Sequence, residues 1–490
     1  MFALTWLIPT VAVVATIASG RFNVTYAALA GMVTAIPVAT LTGPTSPDLH
    51  QIFVAIARGG WIGTIIAPYI LGGLLFWQVA MPSTHAGATE TSSNPTGADS
   101  VPRRRLLFFA VFLVGPFAES ATGFGVGMLG TVMLLRRFSI PALPLAVFAM
   151  LSQTFIPWGA MGSGTILAAA YARLPASDLA LYSLVLVAAL MLVWLPLFWR
   201  TATQAGFGAP PAECAREIAW LTIALCLLGI ATAYLGPETA LLAAFGPLIA
   251  TRYLIDSRPK SHTIILLARR VFPYVALISF LMVTRLVPGI RATLVNFANM
   301  TPFPDLPTWS PLFHAGSWLL GGAVFLICIR KGPSRIVTEF SVAWQMGKHA
   351  VMTVFLFATM AEVLSIAGIS GAFADRLLSS LSSGAILVAP VVAGVFGILA
   401  NSGNAPNSLF MPSQIALAVQ AGLSIPAVAA LQHVCGTSMS FFSPVRMSIA
   451  ANLAGSPIGE RRMYVLLAPY LISCFALMMI AAMLVVLVAS

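Results

Sequence analysis

Apolar stretches long enough to cross a hydrocarbon layer recur along the whole chain, as at 183–199 and 463–488, and a bilayer core asks for about 20 helical residues per crossing. In lipid every backbone N–H and C=O must find its partner inside the protein, so long apolar segments of this kind are restricted to helices. Composition agrees: 59% of the 490 residues are apolar and 8% are charged, against about a quarter charged in ordinary soluble domains. The expected fold class is an all-α integral membrane protein of about 12 transmembrane spans plus two re-entrant hairpins, arranged as an inverted repeat.

Lys and Arg number 25 against 14 Asp and Glu, a net charge of +11. A surplus clustered on a folded basic patch would suggest nucleic acid. Here it is spread over short loops between apolar runs, where it reports orientation, because cytoplasmic loops retain Lys and Arg. The expected surroundings are therefore a lipid bilayer, with no nucleic-acid partner. Cys214, Cys226, Cys328, Cys435 and Cys474 show no close pair spacing, so neither a zinc site nor a disulfide framework is expected, and no metal or cofactor. The apolar N-terminus lacks the basic start of a cleaved signal and is followed by further spans, so 4–19 reads as a retained helix.

Ordinary spans are expected near 4–19, 24–42, 61–80, 178–199, 217–235, 237–255, 271–287, 311–329, 349–367 and 463–488, with 82–102, rich in Ser, Thr, Gly and Asn, as a flexible loop. Segment 106–135 is different. It follows Arg103, Arg104 and Arg105, ends at Arg136 and Arg137, and carries GPFAESATGFG in its middle. A single crossing would leave one arginine cluster outside; a hairpin of two half-helices keeps both inside. A second hairpin is expected at 385–421, with 141–173 and 425–456 as broken helices. Both termini then fall outside, as do Arg58, Arg173, Arg285, Arg291 and Arg376. Arg446 lies at membrane depth, and the rest of the 25 Lys and Arg are inside.

The two irregular tips resemble each other. GPFAES, with Gly115, Ala118 and Ser120, recurs as GILANS, with Gly397, Ala400 and Ser402; SIPA occurs at 139–142 and again at 424–427, and each copy leads to a proline, Pro157 and Pro444, at the break of the next helix. Seven crossings separate the hairpins, an odd number, so the copies enter from opposite faces. The expected domains are a first repeat at 1–200, linking helices at 201–260 and a second repeat at 261–490. Inverted repeats whose discontinuous helices meet near the midplane are the architecture of secondary transporters. A Gly-rich nucleotide loop is excluded for GFGVGMLG because no strand precedes it. The six histidines are scattered, so no enzyme is expected.

GPFAESATGFG followed by GAMG, with a second polar hairpin and a Ser-Pro broken helix near the C-terminus, resembles the lactate permease family of bacterial monocarboxylate transporters. Glu119, Ala121, Gly123, Phe124 and Gly125 match that family's pattern in the first hairpin, and Ser402, Asn407, Leu409 and Phe410 in the second. The resemblance implies lactate or glycolate carried with protons across a bacterial inner membrane, and leaves a homodimer open. Gly403 stands where the family has an acid, and Ser440 where it has a lysine, with Arg446 two residues past Pro444. These departures define the second reading: another organic anion, such as a dicarboxylate, with sodium as the coupling ion.

A carboxylate at membrane depth needs preorganised donors, since an unpaired charge there costs about 3 kcal/mol or more. Half-helix N-termini supply free N–H groups. The expected substrate-binding residues are Ser120, Thr122, Gly123, Asn401, Ser402, Asn404, Asn407 and Ser443, with Arg446 as a bidentate clamp. Glu119 is the expected carrier of the coupled proton, because desolvation disfavours a lone charged carboxylate; pairing with Arg446 is its structural alternative. Gln153, Trp158 and a relay at His433 are weaker candidates. Glu238 and Glu362 read as interfacial.

Overall fold

The computed structural model describes residues 2–80, 102–123, 125–455 and 460–489. The expected loop at 82–102, apart from Pro102, and Phe124 of the first tip lie outside the described residues. Among those described the chain is helical, with one isolated antiparallel bridge between Met300 and Trp309.

The expected single helix over 4–19 is corrected to two, α1 (Phe2–Thr5) and α2 (Ile8–Ala18). Pro9 has no N–H to return to Thr5, so the turn opens at Trp6 and Leu7. Next come α3 (Val24–Thr42), started by Asn23 accepting from the N–H groups of Thr25 and Tyr26, and α4 (Leu49–Ala80). α5 (Arg103–Phe109) passes through a π-turn at Ala110–Val114 into α6 (Gly115–Thr122), followed by α7 (Val126–Leu135), α8 (Ala142–Leu151) and α9 (Gly159–Ala172). The middle of the chain forms α10 (Ala176–Gln204), α11 (Pro211–Leu235), α12 (Pro237–Ser257), α13 (Ser261–Leu286) and α14 (Pro288–Asn296). The remainder is α15 (Ala315–Arg330), α16 (Ile336–Ile366), α17 (Ile369–Leu381), α18 (Val388–Ala400), α19 (Asn404–Gln420), α20 (Ile425–Ser440), α21 (Pro444–Ala454) and α22 (Glu460–Ala489).

Eight of the described helices are long and apolar enough to cross a membrane, or up to 10 if each bent pair is one span. α4, α11, α13 and α16 begin well before the expected 61, 217, 271 and 349. Charged residues such as Arg58, Glu213, Arg269 and Glu339 end the apolar window, yet they do not end the helix, which continues past it. α14 and α17 occupy stretches expected as loops.

α4 and α16 pack antiparallel. Gly59 lies against Thr359, Gly63 against Phe355 and Gly347 against Leu71 and Leu74, so positions rise on one helix as they fall on the other. α10 and α22 do the same: Trp194 Nε1 donates to the Tyr470 carbonyl at 3.2 Å, and Gln204 shares a groove with Arg461.

Within the stretch expected as a hairpin, 106–135, the chain reverses between α6 and α7, while Arg103–Thr122 is by itself long and apolar enough to cross a membrane. α7 folds back on α5 and α6: Thr131 Oγ1 donates to the Ala110 carbonyl at 3.1 Å, and the Arg103 guanidinium lies 5.9 Å from the Phe138 ring, so both arms end together. The reversal runs through Gly123 (φ +73) and Gly125 (φ +82), backbone open to glycine at little cost. The hairpin expected at 385–421 forms from α18 and α19 about a turn at Asn401 (φ +52), with Phe396 and Phe410 stacked edge-on at 4.8 Å.

Both expected broken helices are broken. α8 and α9 meet at 60°, with Ala160, Met161 and Gly162 left-handed just past Pro157. α20 and α21 part at 441–443, where Pro444 opens α21 and Ser443 caps it.

Charges gather at the two ends of the bundle. At one end Arg104 holds Glu217 with two bonds of 2.7 Å, Arg105 reaches Glu213, Arg216 and Arg252 share Asp256, and Arg136 donates to the Leu453 carbonyl. At the other end of α10, Arg173 and Arg58 together clasp Glu362 and Asp305. Glu362 and Glu238, expected as interfacial, are ion-paired, the latter with Arg285 at 2.9 Å.

Candidate functional site

Two hairpin tips and two helix breaks converge on one guanidinium. Arg446 is the third residue of α21, so the break at 441–443 and the cap at Ser443 set its position. Its Nε donates to Asn401 Oδ1 at 3.1 Å, reaching the second tip. Its Nη1 donates to Gln153 Oε1 at 2.8 Å, reaching the first break. Glu119, beside the first tip, acts on it through space. Among the described residues no carboxylate lies within ion-pairing distance of it, so the expected alternative of a Glu119–Arg446 pair is not formed.

Glu119 instead caps its own hairpin. Buried at the end of α6, it accepts from the Gly125 N–H at 3.3 Å and the Gly127 N–H at 3.1 Å, which occupies the positive N-terminus of α7. Gly127 makes this approach feasible, because a Cβ there would lie 3.0 Å from the Glu119 Cβ.

The other expected residues divide by what their side chains already do. Asn401 touches Arg446, and Gly123 shapes the first tip. Ser402 accepts from the Asn404 N–H at 3.1 Å, and Asn404 faces Gly164 of α9, which joins the second tip to the first broken helix. Ser120 is buried on α6. Thr122 donates back to its own backbone, to the Ala118 and Gly123 carbonyls, and Ser443 accepts from the Val445 N–H; both serve the local helix ends. Helix N-termini expected to be open to a ligand are thus capped from within at α7, α19 and α21.

Asn407 lies one turn deeper and bonds His433 Nδ1 at 2.9 Å, while His433 Nε2 meets Thr165 Oγ1 at 2.9 Å and Thr165 turns to the Pro157 carbonyl. The bonding pattern assigns the Nε2–H tautomer, with Nδ1 accepting from the Asn407 amide. Both ring nitrogens are engaged, so His433 braces α20 against α9 and α19. Trp158 donates to Thr232 and packs the first break against α11.

Gln153 is the residue that sequence reasoning undervalued. Its signal was a single amide inside the apolar run 142–172, and its importance follows only from its partner. All five cysteines are free, and among the described residues no group of three or more His, Cys, Asp or Glu is arranged for a metal ion.

Chemically, a guanidinium has five N–H donors. Two of those on Arg446 are spent on neutral amides, which hold it in place without neutralising it. What remains is a planar fork suited to an anion. Comparison with protein-family models and with curated proteins finds no match for this chain.

Proposed function

We propose that this chain is a multi-pass secondary transporter of a small organic anion, with lactate or glycolate as the substrate, a proton as the coupling ion and a bacterial inner membrane as its place. The observation that carries the reading is Arg446, a cation at the meeting point of four interruptions whose bonds go to Asn401 and Gln153, both neutral. A charge at membrane depth normally has an ionic partner or a water-filled cavity. Here a substrate carboxylate would be that partner.

The inverted-repeat reading draws support from direction. In it α4 is equivalent to α16, α10 to α22, and α8–α9 to α20–α21, and inverted equivalents should run antiparallel where they touch. The α4–α16 and α10–α22 contacts are antiparallel. The broken helices are as well, since Gln153 meets Arg446 while Thr165 meets His433. Two halves of opposite sense around a shared anion site suit alternating access.

Coupling follows from competition. Ionised Glu119 supplies a second negative charge next to the site and would repel an incoming carboxylate; protonated, it would not. The test is uptake of labelled lactate, glycolate and small dicarboxylates into proteoliposomes, with imposed proton or sodium gradients. Accumulation of a monocarboxylate driven by the proton gradient supports the reading. Sodium-driven dicarboxylate uptake selects the second reading, and no uptake of any of these anions overturns both.

A further inference from the structure

Arg446 does not line the best-formed groove among the described residues. A groove of about 630 Å³ opens on the outer surface between α10, α22 and the start of α8. Its upper rim carries Arg200, Arg461 and Arg462, with Gln204 beside them; its floor and lower wall are Leu197, Val465, Leu466 and Pro469, with the Thr201 hydroxyl closed off by Tyr470 at 2.9 Å. Among the described residues no acidic side chain lines it. Among the described residues none of the three arginines has a carboxylate partner, whereas Arg104, Arg105, Arg216 and Arg252 at the same end each have one.

The retention of Lys and Arg in cytoplasmic loops explains why arginines occur at this end. It does not explain three that converge on one groove with no counter-charge among the described residues. Nor does helix stability, since Arg461 and Arg462 lie in the first turn of α22, where the macrodipole disfavours cations. That N-terminus adds its own partial positive charge to theirs. Below the cations, positions 465 and 469 on α22 and 197 on α10 continue the groove as an apolar channel along helices long and apolar enough to cross a membrane.

We propose that this groove binds an anionic phospholipid, its phosphodiester held by Arg200, Arg461 and Arg462 and an acyl chain lying along Leu197, Val465 and Pro469. A basic cluster atop an apolar channel matches a molecule with one charged end and one long apolar end, and a free phosphate would use only the rim.

The experiment uses the purified full chain in neutral detergent, titrated separately with phosphatidylglycerol, phosphatidylcholine, inorganic phosphate and glycerol 3-phosphate, with apparent Tm and lipid retained in native mass spectra as readouts. Phosphatidylglycerol should raise Tm and remain bound, and the other three should not. R200Q/R461Q/R462Q should weaken its binding by roughly a hundredfold, from about fivefold for each arginine near a membrane surface. R269Q/R270Q, which removes two exposed arginines of α13 outside the groove, should leave binding unchanged. V465W, which fills the channel and keeps every charge, should also weaken it. Equal stabilisation by phosphate or glycerol 3-phosphate would overturn the lipid assignment in favour of a free-anion site, and undiminished phosphatidylglycerol binding by both the triple variant and V465W would remove the groove altogether.

Discussion

Arg446 donates to Gln153 across 293 residues of chain at 2.8 Å, so the break in one broken helix is tied to the break in the other. Neither partner is explained by its own segment. A lone amide in α8–α9 and a lone cation in α21 are each expensive among apolar neighbours, and each supplies what the other lacks. Because the amide is neutral, the pair positions a charge without cancelling it.

Arg446 should therefore be intolerant of change. Arg446→Lys keeps the charge, yet a single ammonium cannot present a planar fork while holding both Asn401 and Gln153. Transport kcat/KM should fall at least about tenfold, or 1.4 kcal/mol, and Arg446→Gln should abolish uptake. Normal uptake by Arg446→Gln would exclude it from the site.

Glu119→Gln separates coupling from binding. The amide keeps one oxygen for the N–H groups of Gly125 and Gly127, so the hairpin tip should survive. Accumulation under a pH gradient should be lost, while exchange of internal for external substrate persists, since exchange needs no net proton release. Should the variant accumulate substrate normally, Glu119 is only a helix cap.

Gly127→Ala tests the hairpin contact. The new methyl would press on the Glu119 Cβ and the Gly115 carbonyl, and overpacking of this kind costs about 1–3 kcal/mol. A thermal-shift measurement should find a lower apparent Tm; an unchanged one would mean the two arms are further apart than described.

Both arms of that hairpin end beside each other, Arg103 over Phe138. In a background without native cysteines, Pro102→Cys and Ser139→Cys should react with an impermeant thiol reagent from the same side of the membrane, the cytoplasmic one. Labelling from opposite sides contradicts a hairpin.

The Arg58–Asp305 tie gives a pH signature. Hydrogen bonding to Arg58 holds the Asp305 carboxyl below its ordinary value of 3.8. A lowered carboxylate stabilises the fold fully above its ordinary value, and the contribution disappears as pH falls through the lowered one. Wild type should be more stable than Asp305→Asn near neutral pH, with the gap in apparent Tm closing below about pH 4. A gap that is constant with pH would show that the bond contributes nothing through charge.

Much of the architecture was legible along the chain because its causes are local. Apolar runs mark helices wherever water is not the solvent. Arginines on both flanks of 106–135 are the reason to expect a reversal there, and Gly123 and Gly125 permit one. Pro157 and Pro444 interrupt helices because they cannot donate. Glu119, Asn401 and Arg446 stood out as polar groups in apolar surroundings, which burial alone makes costly. What each polar group bonds to was not legible. That α4 and α16 continue beyond their apolar windows, that Glu119 turns to its own hairpin rather than to Arg446, and that three arginines face one groove all depend on which helix faces lie together. Gln153 and Arg446 carry no mark of each other in the sequence: only antiparallel packing of two broken helices brings them within hydrogen-bond distance, and that packing is decided by the burial of all the helices at once.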